Sequence, residues 1–200
     1  MSFYKVARVF VSGILHLIFR IRVEGRENIP KIGTYVVCSN HKSLLDPPML
    51  GACLPFPVRF MAKEELFRNK LFGGIFRAVG AFPIKRGKSD VGALRGAMKM
   101  LESGENVAIF PEGTRSKGNT MRKGKQGAAL IAVKAGVNIL PVGIEGEYKF
   151  LHKLTFRIGK AISLEEYFDQ KVSGEELQTI TDKKIMPAIG ALAGVKPYED

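Results

Sequence analysis

The residues best suited to chemistry in this 200-residue chain lie in the segment Asn40-His41-Lys42-Ser43-Leu44-Leu45-Asp46. Histidine is the side chain that most readily takes and returns a proton near neutral pH, and a nearby carboxylate can accept its Nδ1 proton and stabilise the imidazolium. The spacing therefore predicts a general base, His41, that is oriented and supported by Asp46. The alternative is an ordinary turn histidine, with Asp46 capping the helix that follows.

The chain offers no clear nucleophile of its own for such a base. It has no Gly-x-Ser-x-Gly segment, which would mark a hydrolase-type serine. Cys38 precedes His41 by three residues within a predicted strand, where it is poorly placed to meet the ring. The remaining nucleophile is a hydroxyl group on the substrate.

Four segments of the sequence together resemble a known enzyme family. Segment 40–46 matches the N-H-x-S-x-x-D box of the glycerolipid acyltransferases, and segments 80–86, 110–116 and 139–143 resemble the next three boxes in the family's order. The chain is most similar in kind to the bacterial 1-acyl-glycerol-3-phosphate acyltransferases. The resemblance implies that a fatty acyl group passes from a thioester donor to the sn-2 hydroxyl of 1-acyl-glycerol-3-phosphate, which gives phosphatidate.

The resemblance also assigns roles to individual residues. It implies that His41 deprotonates the attacking hydroxyl, that Asp46 supports His41, and that acyl transfer is direct, without an acyl-enzyme. The residues implied in substrate binding are Lys63, Arg86, Glu112, Gly113, Thr114 and Arg115. Arginine suits this role because its guanidinium grips phosphate bidentately. For Glu112, an ion pair that supports Arg115 is the favoured alternative. Backbone N–H groups after His41 are expected to stabilise the thioester oxyanion.

The implied substrates leave two choices open. The donor is acyl-CoA or acyl-carrier protein, and the acceptor is lysophosphatidate or, alternatively, glycerol 3-phosphate or another lysophospholipid. No cofactor is implied. No metal is expected either, because His16, His41 and His152 lack ligand spacing with cysteines or carboxylates.

The charge of the chain favours an anionic partner. Its net charge is +12, and residues 1–100 hold 17 Lys and Arg against 6 Asp and Glu. Such a field suits an anionic membrane or a nucleic acid. The sequence has no recognisable nucleic-acid-binding motif, so an anionic membrane surface is expected and a nucleic-acid-binding protein is the remote alternative.

Residues 1–22 are predicted to form an amphipathic membrane-associating helix ahead of an acyltransferase domain at 23–200. With residues 3–20 helical, the polar residues Lys5, Arg8, Ser12, His16 and Arg20 share one narrow arc, opposite a wide apolar face. This pattern is typical of a helix that lies in the plane of a membrane. Packing of the apolar face on the domain core is the alternative. No run is long enough to cross a bilayer, so a peripheral position on the cytoplasmic face of the cell membrane is expected.

The remaining pattern predicts an α/β fold. Short apolar runs alternate with helical segments, which indicates a mostly parallel sheet covered by helices. The predicted strands are 34–39, 57–62, 78–84, 106–110, 138–144 and 154–158, and the predicted helices are 44–54, 71–77, 89–103, 125–135 and a solvated closing helix at 174–192. Polar side chains that follow separate strands are expected to converge at one edge of the sheet.

Overall fold

Strand–helix alternation gives one mixed sheet. The computed structural model describes residues 3–69, 73–74, 76–77, 80–84, 91–116, 118, 120–196 and 198. Within these ranges seven strands are joined in the order β1-β7-β6-β2-β5-β3-β4. Their bounds are β1 Arg20–Glu24, β2 Tyr35–Ser39, β3 Val58–Lys63, β4 Ala81–Ile84, β5 Asn106–Ile109, β6 Asn138–Gly146 and β7 Lys153–Ile158.

The sheet is mostly parallel, which confirms the predicted fold class. All of its pairings are parallel except that of β6 with β7, where Val142 faces Ile158 in antiparallel register. β2 lies between β6 and β5 and is buried along its whole length. Helices cover both faces of this strand, so its side chains are apolar on both sides, as in parallel sheets generally.

Helices cover both faces of the sheet. In the described ranges, the α-helices of seven or more residues are α1 Phe3–Ile18, α2 Asp46–Cys53, α3 Val91–Glu102, α4 Gly127–Ala135, α5 Gly174–Ile180 and α6 Met186–Ala193, and the π-helical turn Thr181–Ile185 joins the last two. Successive residues of β2 point to opposite faces. Accordingly, Val37 packs in one core cluster with Leu50 of α2, and Val36 packs in the other with Ala129 of α4.

The N-terminal helix ends earlier than the sequence predicts. It stops at Ile18, and Arg20 already begins β1, which pairs with β7 at one edge of the sheet. The predicted helix ran to residue 20 because Arg20 continues the basic stripe. The segment Arg-Ile-Arg-Val-Glu instead alternates as a half-buried strand does, and Ile21 and Val23 pack against the core.

Helix α1 has both a packed side and an open side. Leu15 and the following Phe19 are buried against the core. Phe10 and Leu17, on the other side, are 70% and 76% exposed. The packed side agrees with the alternative of packing on the domain core, and membrane association of the open side stays a prediction. None of the helices in the described ranges has the length and hydropathy needed to span a membrane.

The closing helix is less solvated than predicted. Together, α5, α6 and the π-helical turn between them bury Leu177, Ile180, Ile185, Met186 and Ile189 in the core cluster that also holds α4. Its charged residues occupy the other side, so the acidic composition hid an amphipathic pattern. Of the predicted helix at 71–77, only residues 73–74 and 76–77 are described, and these are helical; residues 89–90, at the start of the predicted helix at 89–103, lie outside the described residues.

Candidate active site

Three neighbouring parallel strands bring the motif residues to one edge of the sheet. β2 lies between β5 and β6, and the three strands run in the same direction. The segments that follow their carboxyl ends therefore meet: residues 40–43 after β2, 110–116 after β5 and 147–148 after β6. Ligands bind at this edge in open α/β sheets. The convergence predicted from the sequence is present.

His41 and Asp46 form the hydrogen-bonded pair that the sequence predicts. His41 Nδ1 lies 2.7 Å from Asp46 Oδ2, within hydrogen-bonding distance. The imidazole retains 17% of its side-chain exposure, whereas the carboxylate has none. With Nδ1 bonded to the carboxylate, Nε2 is the ring nitrogen that can take a proton from a substrate.

The Asp46 carboxylate accepts four hydrogen bonds. Oδ2 accepts, besides His41, the backbone amides of Lys42 and Ser43 at 2.6 and 2.8 Å, and Oδ1 accepts the hydroxyl of Tyr148. A buried carboxylate needs such partners because burial removes its water. Asp46 does not cap α2, which begins at this residue; its side chain instead reaches back to the loop that holds His41.

Most backbone N–H groups of the loop that were expected to stabilise the oxyanion already have acceptors within the protein. The amides of Lys42 and Ser43 already donate to Asp46, and the amide of Leu45 donates to Ser43 Oγ. The next two residues of α2, Pro47 and Pro48, have no N–H group. This segment therefore has few amides left for a thioester oxyanion.

Tyr148 is held beside the pair by packing and burial. Its ring contacts Phe19 edge-on, with centroids 5.7 Å apart. Burial and, to a smaller extent, the negative charge of Asp46 raise the pKa of Tyr148 far above its usual value. The hydroxyl therefore remains protonated and donates to Asp46 at every pH near neutrality.

Glu112 supports the catalytic loop from behind. One carboxylate oxygen accepts the backbone amide of His41 at 2.8 Å, and the other accepts the amide of Arg122 at the same distance. The side chain is 2% exposed. Glu112 thus joins two loops through their backbones, and the substrate contact or the ion pair with Arg115 expected from the sequence stays a prediction.

Further contacts fix the ring and the loop. The His41 imidazole stacks on Phe110, with centroids 4.2 Å apart and the planes 19° from parallel. The amide of Ser116 donates to the His41 carbonyl at 2.9 Å. Behind them, the buried Asn40 side chain exchanges two hydrogen bonds with the backbone of Ile144, at 2.7 and 2.9 Å. This amide extends the β2–β6 ladder by one step beyond the end of β2.

The predicted binding residues of the third motif, Gly113, Thr114 and Arg115, lie at the same edge of the sheet as the catalytic pair. Gly113 has a φ of +71°, and a Cβ atom at this position would lie 3.1 Å from Cε of Lys125. Thr114 and Arg115 are exposed beside it. The third motif therefore presents its arginine on a turn that ends next to the Ser116–His41 contact.

Two predicted cations cannot be placed as fully. Lys63 is the last residue of β3, at the same edge of the sheet, but its side chain is not among those described. Arg86 follows β4 and lies outside the described residues. Among the described residues, no group of three His, Cys, Asp or Glu side chains has an arrangement that could hold a metal ion.

Sequence reasoning missed Tyr148 and the actual partners of Glu112. Tyr148 lies just beyond β6, the fifth predicted strand, as the other polar site residues follow earlier strands, and this position is the signal that could have found it. For Glu112 no sequence signal was available, because its partners are backbone amides 10 and 71 positions away.

Comparison with known proteins identifies the family. The acyltransferase family model matches residues 20–145, more than half of the chain. This chain belongs to the acyltransferase family. A solved structure, that of the 1-acyl-sn-glycerophosphate acyltransferase PlsC from Thermotoga maritima, superposes with a TM-score of 0.69 at 28% identity. It covers 94% of this chain and 79% of that one.

Curated relatives of this acyltransferase include enzymes with two different acceptors in their names. The 1-acyl-sn-glycerol-3-phosphate acyltransferase of Bacillus subtilis (strain 168) is 33% identical over 144 residues, which cover 72% of this chain and 71% of that protein. The lyso-ornithine lipid O-acyltransferase of Pseudomonas aeruginosa is 34% identical over 127 residues, 63% of this chain and 47% of that protein.

Proposed function

We propose that this protein transfers a fatty acyl group from a thioester donor to the sn-2 hydroxyl of 1-acyl-glycerol-3-phosphate and so makes phosphatidate. The observation that carries the proposal is the His41–Asp46 pair, buried on one side and open on the other. The relatives named for this reaction support the choice of acceptor. Acyl-CoA and acyl-carrier protein are the two donor candidates, and no cofactor is required.

The chemistry follows from the geometry of His41. As the substrate oxygen attacks the thioester carbonyl carbon, Nε2 takes the hydroxyl proton, and Asp46 stabilises the imidazolium that forms. The carbon–sulfur bond then breaks, and the departing thiolate takes the proton from His41. The protein is restored without a covalent intermediate.

Three basic residues form the proposed binding site for the phosphate of the acceptor. We assign Arg115 to the phosphate of the acceptor, together with Lys63 and Arg86 of the preceding motifs. Gly113 and Thr114 shape the turn that presents Arg115. Arg115 is exposed and directly precedes Ser116, whose amide donates to the His41 carbonyl, so its guanidinium can hold the headgroup while the hydroxyl meets Nε2.

The protein is proposed to work at an anionic membrane surface, on the cytoplasmic side. The open side of α1 carries apolar side chains, and the net charge of +12 favours anionic headgroups. Both substrates contain fatty acyl chains, so a surface position shortens their path to the site.

Acyl transfer by the His41→Gln variant tests the base. Glutamine keeps the approximate size of the ring but cannot cycle a proton, so turnover with lysophosphatidate should fall by about 10²–10⁴-fold. The measurement is release of free thiol from each donor, with circular dichroism to confirm the fold. Normal turnover in a folded variant would exclude His41 as the base.

Arg115→Ala tests the phosphate site. The KM for lysophosphatidate should rise by about tenfold or more, since a charged hydrogen bond contributes about 1.5–3 kcal/mol. The KM for the acyl donor should change less. Arg95→Ala, on the exposed side of α3, is a control of equal charge change. An unchanged acceptor KM would remove Arg115 from the phosphate site.

A second acceptor class is favoured by one relative, the lyso-ornithine lipid enzyme. An acceptor panel of lysophosphatidate, glycerol 3-phosphate, another lysophospholipid and lyso-ornithine lipid, each with one acyl donor, distinguishes these alternatives. A preference for an acceptor without phosphate would overturn the proposed substrate but would retain the His41 chemistry.

A further inference from the structure

Tyr148 contacts the catalytic pair although it belongs to none of the four sequence motifs. It lies two residues beyond the end of β6, and its hydroxyl donates to Asp46 Oδ1. The other oxygen of the same carboxylate, Oδ2, binds His41 Nδ1. One carboxylate therefore connects the tyrosine hydroxyl to the imidazole.

We propose that Tyr148 is a positioning residue for the general base. The inference rests on the proposed acyltransferase function. Tyr148 acts through Asp46: its hydrogen bond fixes the plane of the carboxylate and draws negative charge toward Oδ1, away from the oxygen that faces His41.

Burial makes this hydrogen bond consequential. Asp46 has no solvent exposure, so water is poorly placed to take over the role of the hydroxyl at Oδ1. Three donors already converge on Oδ2. Without the Tyr148 hydroxyl, the charged Oδ1 atom would lose this donor. The carboxylate would then rotate more freely and would bind the imidazolium more strongly.

Contacts with α1 and with the residue that joins α1 to β1 hold Tyr148 in position. Its ring packs edge-on against Phe19, which is 5% exposed and links α1 to β1. In the residues that follow, the amide of Lys149 donates to the Glu147 carbonyl, and the amide of Leu151 donates to the Ile18 carbonyl at the end of α1. The segment after β6 is therefore anchored to the N-terminal helix.

Titratable groups from several elements surround the pair. Glu112, after β5, accepts the His41 amide, and Lys42 Nζ donates to the Gly146 carbonyl at 2.7 Å. Cys53 of α2 interacts electrostatically with Tyr148. A Tyr148→Phe substitution leaves all of these groups in place, so it changes only the hydroxyl.

Kinetics of Tyr148→Phe provide the first test. The full contribution of a general base is about 10²–10⁴-fold, and loss of part of its support should lower kcat by about tenfold. The KM for lysophosphatidate should stay within twofold, because Tyr148 is not at the phosphate site. The acid limb of the pH profile should move to higher pH. Phenylalanine retains the ring packing on Phe19, so the variant should fold.

Tyr35→Phe is the matched control. The Tyr35 hydroxyl donates to the Ile32 carbonyl at 2.6 Å, at the opposite end of β2 from His41. Its removal deletes one hydrogen bond without touching the pair, so kcat and the pH profile should match the wild type. Equal losses of kcat in the two variants would contradict a specific role for Tyr148.

A nuclear magnetic resonance titration tests the proposal without turnover. In protein with isotope-labelled histidines, the His41 signals are assigned by their absence in His41→Gln, since the chain has three histidines. His41 should keep its second proton to higher pH in Tyr148→Phe than in the wild type or in Tyr35→Phe. An unshifted titration together with an unchanged kcat would overturn the proposal. Absence of acyl transfer by the wild type would instead refute the proposed function and leave the titration result to stand.

Discussion

Two buried carboxylates organise the catalytic loop at the scale of single residues. Asp46 binds the amides of Lys42 and Ser43, and Glu112 binds the amide of His41. Three consecutive backbone N–H groups are thus held by acidic side chains from two separate segments. The loop on which the imidazole sits is rigidly fixed before any substrate arrives, as catalysis by a positioned base requires.

The pair itself was predictable from the sequence, but its supports were not. His41 and Asp46 are five positions apart, so a single turn brings them together. Glu112 and Tyr148 are 71 and 102 positions from their partners, and only the pairing of β2 with β5 and β6 brings them close. Local spacing carries no information about such contacts.

Cys38 should make stability fall at alkaline pH. It is fully buried in β2, and burial raises the pKa of its thiol well above the usual value. Below about pH 8.5 the thiol is protonated in both the folded and unfolded states. Above that pH the unfolded chain releases a proton that the fold retains, so the free energy of unfolding falls by up to about 1.4 kcal/mol per pH unit.

Urea unfolding of Cys38→Ala at pH 8 and pH 10 checks this expectation. Lysines and tyrosines titrate equally in both proteins. The difference between the two proteins in the stability lost from pH 8 to pH 10 therefore isolates the contribution of Cys38. The variant should be less stable at pH 8 because it leaves a small cavity, yet it should lose less stability on going to pH 10. Parallel losses in the two proteins would contradict the prediction.

At the scale of elements, the fourth motif has a packing role. Its Gly143, in β6, faces the backbone of α6: a Cβ atom there would lie 2.3 Å from the Leu192 carbonyl carbon and 2.4 Å from the Ala193 nitrogen. No side chain fits in that space. The glycine lets the closing helix approach β6, the strand that Asn40 joins to the catalytic loop.

Gly143→Ala should therefore destabilise the protein by about 1–3 kcal/mol or more, because helix and strand must separate. Gly127→Ala is the control, since nothing lies within 4 Å of the added Cβ at the start of α4 and alanine favours a helix. Urea unfolding of both variants provides the measurement. A Gly143→Ala protein as stable as the control would show that this contact yields easily.

Most elements could be predicted from periodicity, with two instructive exceptions. The buried strands β2, β5 and β6 are continuous apolar runs with clear boundaries. β1 was missed because it is a short, charged edge strand directly after a helix whose basic stripe it continues. The closing helix was read as solvated because its many acidic residues masked the apolar side that packs on α4.

At the scale of the whole molecule, the positive net charge and the exposed apolar side chains of α1 both favour binding to an anionic membrane surface. Val9, Phe10 and Leu17 of α1 are each at least 70% exposed, on a molecule with a net charge of +12. Isolated exposed apolar residues are common, but several on one short helix mark an interaction surface. The apolar helix surface and the positive charge, which the sequence suggested separately, thus occur on the same molecule.

A Phe10→Ser, Leu17→Ser double variant should bind anionic vesicles about tenfold or more weakly, because it removes two apolar side chains from the exposed surface. Ile32→Ser is the control: Ile32 is 89% exposed but precedes β2, at the opposite end of the sheet from the site. Flotation with vesicles of anionic phospholipid provides the measurement. Undiminished binding by the double variant would place the membrane contact elsewhere, and tight, salt-sensitive binding to DNA would revive the remote alternative.

The position of β1 has a consequence for synthesis on the ribosome. Arg20 to Glu24 pair in register with Lys153 to Arg157, so β1 cannot pair until β7 has been made. At about 5–20 residues per second, this delay is on the order of ten seconds. During that time the contact between Phe19, at the end of α1, and Tyr148 is also missing, and the apolar side of α1 is open to any nearby lipid. A nascent chain can therefore meet the bilayer before its fold closes.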